Sequence, residues 1–132
     1  MTTLTPPIDA QETIKALEPE ASEMKPYEIH NRVLRLPHEI YQTQLIWFDG
    51  QQKLDGMETK ERAAARAILA VSGTKETLQS LEDQVSQSRD IQDERQKVHA
   101  MKMTIELKQN LFDAYKKLAN YETAKLSAGI TD

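Results

Sequence analysis

Residues 47–57 read WFDGQQKLDGM, and their two Asp-Gly pairs are the strongest hint of a ligand loop in this chain. Asp-Gly favours a turn, and an acidic turn can hold calcium. A calcium loop of the EF-hand kind needs oxygen ligands at positions 1, 3, 5 and 12, with glycine at 6. Counting from Asp49 puts Lys53 at position 5 and Leu54 at position 6, so a cation stands where a ligand belongs. His30, His38 and His99 are the only imidazoles, and the chain has no cysteine. No two histidines share a metal-ligand spacing, so no metal or cofactor is expected. Glu82-Asp83 and Asp93-Glu94 are adjacent carboxylates, but they fall on polar helix faces, where charge is usually solvated. Four glycines cannot build a phosphate-binding loop, and no Ser stands at a strand-to-helix elbow. These residues point to no enzyme and no small-molecule substrate.

The elements that carry these residues are helical. Positions 33, 36, 40, 43, 47, 50, 54, 57, 61, 64, 68 and 71 alternate three- and four-residue steps, and most are apolar. That is a coiled-coil-like seam. It carries Ile40, Trp47, Leu54 and Ile68, and it passes through Gly50. A glycine there lets a neighbouring helix approach closely, so both Asp-Gly pairs are expected inside a helix. Gly56 falls off the seam, where a hinge is its reading. Pro37 suits a first helical turn better than an interior. The segment therefore divides into a short helix near 27–35 and a long one over about 37–71. Ser72-Gly73-Thr74 has the chemistry to end it and to cap a short helix near 75–86. SQSRDIQDERQ, residues 86–96, reads either as a solvated stretch or as a bend. A second long helix then spans about 90–126, with Met101, Ile105, Phe112 and Tyr115 in an apolar arc too broad for one neighbour.

Residues 1–26 hold four prolines and five acids against Lys15 and Lys25, which predicts a flexible acidic leader. Within it, Asp9 and Glu12 are spaced as a capping box, and a short helix is predicted at 9–18. The fold expected is all-α: an elongated antiparallel helical hairpin over a single domain, 27–132. On the register that pairs Val71 with Ile91, Trp47 would cluster with Phe112 and Tyr115. A lone hairpin buries little apolar surface, so self-association through the broad arc of the second helix is expected. No stretch is long and apolar enough to span a membrane, and MTTLTPPIDA is not a signal peptide. With no cysteine, a cytoplasmic location fits.

The net charge of −4 argues against a dedicated duplex-DNA binder. A local surplus exists between Arg95 and Lys125, where seven bases meet three acids near Tyr115 and Tyr121. A basic helix with aromatics can follow a single strand.

LRLPHEIYQTQLIWF, then KERAAARAILAVSG, then SRDIQDERQ and KVHAMKMTIELKQNLFDAYKKLAN follow one another over about residues 30–120. In that order and pattern the chain resembles the UvsY-like recombination mediators of bacteriophages. The resemblance implies a small, helical homo-oligomer that binds single-stranded DNA and helps load a recombinase onto coated strands. Its nucleic-acid contacts would fall to Arg62, Arg66, Lys97, Lys102, Lys116 and Lys117. The residues themselves leave two readings: a phage-type recombination or replication accessory factor, or a structural or assembly-chaperone protein that touches only protein.

Overall fold

The computed structural model describes residues 5–21, 24–72 and 78–129. They form four α-helices: α1 (Ile8–Leu17), α2 (Pro26–Ser72), α3 (Leu78–Gln87) and α4 (Arg89–Ser127), with a 3-10 turn at Pro19–Ala21. There is no strand among the described residues. The chain gathers into two compact units. One comprises Met1–Thr43 with Thr104–Asp132, the other Gln44–Met103. In both, α2 and α4 pack antiparallel, as a hairpin requires. Arg32 meets Tyr115 and Thr43 meets Lys108 in the first unit. Gly50 meets Val98 and Glu58 meets Arg95 in the second.

α2 runs through Pro37 without a break, so the two helices expected at 27–35 and 37–71 are one. A proline inside a helix removes a hydrogen bond and crowds the carbonyl four residues earlier. Packing and charge on both sides of it hold the line. Ile29 and Leu36 are buried, and Arg32 reaches across the proline to Glu39 at 3.1 Å. The helix also passes through Gly50 and Gly56, as the seam predicts.

The buried residues of α2 are Ile29, Leu36, Thr43, Leu54 and Ala65, two steps of seven followed by two of eleven. A straight helix drifts about 20° per heptad, and an eleven-residue step cancels the drift. The seam therefore moves from the expected 61, 64, 68 and 71 onto Ala65. Ile68 is 64% exposed and Val71 92% exposed, which corrects Ile68 as a packing residue. Thr43 sits in the seam without penalty because its Oγ1 donates to the Glu39 carbonyl and accepts from Lys108 Nζ.

In the first unit, Ile29, Leu36, Leu111, Tyr115 and Ala119 pack with Ala10 and Ile14 of α1. Of the leader expected over 1–26, residues 8–21 are thus folded against α2 and α4. The helix starts one residue before Asp9, its N-cap is Pro7, and no side chain caps it. Asp9 instead favours the positive helix end from within the first turn. The second neighbour that α4's broad arc calls for is here α1 of the same chain.

In the second unit, Leu54, Val85, Ile91 and Val98 form the core, with Trp47 and Met57 against it. α3 lies along α2, since Arg62 Nε donates to Glu82 at 3.0 Å. The chain bends at Ser88, the N-cap position of α4, where its Oγ accepts from the Ile91 N–H at 3.5 Å. Residues 86–96 therefore contain a bend, and helix resumes at once. The start expected for α3 at 75–77 and its cap at Gly73-Thr74 lie outside the described residues.

This bend explains the register. α3 packs beside α2 before α4 begins, so the first turns of α4 lie opposite Glu58, about four turns short of the end of α2. Tyr115 meets Arg32, and Trp47 meets the Val98 cluster. The predicted Trp47–Phe112–Tyr115 cluster does not form; the pairing is displaced by about three to four helical turns.

Candidate interaction surface

A compact polar group lies in the first unit, where α1 ends. Glu18 is the C-cap of α1, and its carboxylate accepts from Arg32 of α2 and from the Tyr115 hydroxyl of α4. The Arg32 guanidinium divides its two ends, one for Glu18 and one for Glu39, and lies 5.6 Å from the Tyr115 ring centre. Burial works against its charge, but the Glu18 and Glu39 carboxylates outweigh that and raise its pKa. Tyr115 is fully buried. Burial first, then the hydrogen bond to Glu18, push its phenol well above the ordinary value. A phenol so held keeps its proton, and an arginine shared by two carboxylates has no charge left for a ligand. The arrangement joins three segments of the first unit: the end of α1, α2 and α4.

A cleft of about 500 Å³ opens beside α1, lined by Ile14, Met24, Ile29 and Leu118 with Lys15, Tyr121, Glu122 and Lys125 at its polar margin. No group of three His, Asp or Glu able to hold a metal occurs among the described residues.

In the second unit a ladder of ion pairs joins α2, α3 and α4. Glu58 holds Arg95 at 3.1 Å and Arg62 at 3.6 Å, Arg62 also holds Glu82, and Lys53 lies 3.5 Å from the buried Glu94. The candidate nucleic-acid residues divide between the units. Arg62 belongs to this ladder, and Arg66 is engaged within the chain as well. Lys97 and Lys102 are exposed but five positions apart on α4, about 140° around the helix. In the first unit, Lys116 stands over the Phe112 ring at 5.9 Å, and Lys117 lines a shallow hollow with Asp9 and Asp113. Neither pair makes a basic stripe.

The packing candidates fare better. Leu54, Ile105 and Tyr115 are buried; Ile40, Trp47, Met101 and Phe112 are half-buried. A Cβ on Gly50 would lie 3.4 Å from Val98 Cγ2, so α4 approaches closely where the glycine stands. Trp47 Nε1 is buried without a partner. Gly56 has nothing within 4 Å of where a Cβ would be, and the helix runs through it.

What the seam reading missed is an outer face of α2. In the first unit Tyr27, Leu34 and Tyr41 stand seven residues apart, 61%, 76% and 58% exposed. In the second, Leu45, Ile46 and Phe48 are also about half exposed. Phe48 continues the seven-residue step in the sequence. That second period was the available signal, overshadowed by the first seam running along the same helix.

No family model matches this chain, and neither a curated protein nor a solved structure matches it. Among the described residues no helix is long and apolar enough to cross a membrane.

Proposed function

We propose that this protein works by association: a non-enzymatic helical interaction or assembly factor that binds copies of itself and a protein partner. The observation that carries this is the row Tyr27, Leu34 and Tyr41, three large apolar side chains in heptad steps, exposed on one face of α2. A run of this kind on a well-packed helix marks an interaction site more often than a free surface. The test is the mass in solution by light scattering across a concentration series in the micromolar range. A mass that rises with concentration supports the reading; a monomer throughout defeats it.

The more specific version is a phage-type recombination or replication accessory factor that contacts single-stranded DNA. The alternative is a structural or assembly-chaperone protein with no nucleic-acid contact. The engagement of Arg62 with Glu58 and Glu82 and the scatter of Lys97 and Lys102 favour the protein-only version. Titration of labelled single-stranded DNA at low and moderate salt separates the two. Binding that weakens steeply with salt supports the DNA-contacting version, and absent binding at both salts leaves the scaffold.

A further inference from the structure

In the first unit the exposed row Tyr27, Leu34 and Tyr41 is part of a fuller pattern. Asn31 and His38 stand between its members, both exposed, so positions 27, 31, 34, 38 and 41 alternate four- and three-residue steps. That is the spacing of a helix-pairing seam, in which a polar residue fixes register at a cost in stability. Its two edges differ. One carries Glu28 and Arg35, and the other His30 and Pro37. Neither charge on the first edge is used within the chain. Arg32, one turn beyond Glu28, goes to Glu18 and Glu39, so Glu39, one turn beyond Arg35, is taken as well. Among the described residues Glu28 and Arg35 are left without an ion-pair partner. An antiparallel pair of helices about a two-fold axis sets each edge against its own copy. A parallel pair sets it against the other edge, and that of His30 and Pro37 holds no acid for Arg35.

We propose that the outer face of α2 seats the same face of a second copy, antiparallel, with Glu28 of each chain against Arg35 of the other. The two-fold axis then passes opposite residues 31–32. Tyr27 lies over His38 of the second copy, Leu34 lies over Asn31 of the second copy, and Tyr41 reaches the start of that copy's α2. The tyrosine rings and Leu34 supply the apolar burial. The two ion pairs sit at the rim, where they add little affinity but select the direction and the register. The inference rests on the association reading and deepens it by naming the face, its occupant and the direction of pairing.

Light scattering over a concentration series compares the parent with Glu28→Arg, with Arg35→Glu and with the chain carrying both. Each single change turns two ion pairs into two like-charge contacts and should loosen association about tenfold. The double change exchanges the charges and should restore association to within about threefold of the parent. The chain has no cysteine, so single thiols report cleanly in a second measurement. Asn31→Cys lies beside the axis and should oxidise to a covalent dimer. His38→Cys should not, because the two copies of that position lie about 16 Å apart along the helices, beyond disulfide reach. Single changes that associate as the parent does, a double change that fails to restore association, or a His38→Cys dimer as abundant as that of Asn31→Cys overturns the antiparallel face. If the parent still assembles, the face or its direction alone has failed; a monomer at every concentration sinks the association reading with it.

Discussion

The two glycines of the Asp-Gly repeat part company once their surroundings are compared. Gly50 has Val98 against it, whereas Gly56 stands in open space on the same helix. Glycine costs roughly 1 kcal/mol against alanine in a helix interior. Gly56→Ala should therefore raise stability by about that amount in urea unfolding, while Gly50→Ala gains less because its methyl meets Val98. A functional hinge at Gly56 would show itself as lost association in the stabilised variant. Tyr115 offers a second residue-scale test. Its raised pKa means the folded chain keeps the phenolic proton while the unfolded chain releases it near pH 10. The contribution is whole below that pH and shrinks as pH rises beyond it. Tyr115→Phe should lose about 1–3 kcal/mol at neutral pH, the worth of a hydrogen bond to a charged group. It should also show a shallower loss of stability than the parent above about pH 10. Equal slopes in the two chains would remove Tyr115 from the account. Of these residues, Gly50 was legible because the seam ran through it. The Glu18–Arg32–Tyr115 group was not, since its members lie far apart in sequence and no spacing joins them.

At the level of elements, periodicity placed the helices and misjudged their limits. α2 and α4 follow from three- and four-residue steps, but Pro37 was read as a boundary on local propensity alone. Leu36 beneath it and the Arg32–Glu39 pair across it decide otherwise. The register was lost for a related reason. Pairing helix ends assumes a plain turn, and α3 is instead a packed helix that shifts the start of α4. α1 was legible as a helix but not as part of the core, because its acids and flanking prolines gave it the composition of a leader. If Pro37 is tolerated and not required, Pro37→Ala restores a backbone donor. The gain should be about 1–3 kcal/mol, with an unchanged helical signal in circular dichroism. A loss of stability there would mean the proline shapes α2 in a way that its neighbours depend on.

For the molecule as a whole, the balance between inward and outward apolar groups matters more than any single site. Each unit has its own core, and in each an arginine of α2 is shared by two carboxylates: Arg32 by Glu18 and Glu39, Arg62 by Glu58 and Glu82. Among the apolar side chains left toward solvent, Leu34, at 76% exposure, is central to the row in the first unit. A residue so exposed contributes little to its own fold but much to a partner's cover. If copies associate through this face, the melting temperature rises with protein concentration, since assembly stabilises by mass action. Leu34→Glu should abolish that rise, because burying an unpaired carboxylate at a helix seam is costly. The unfolding free energy of the dilute chain should stay within about 0.5 kcal/mol of the parent, as for a surface substitution. Retention of the concentration dependence in Leu34→Glu would move the association away from α2's outer face, and loss of stability in the dilute chain would show that Leu34 serves the fold.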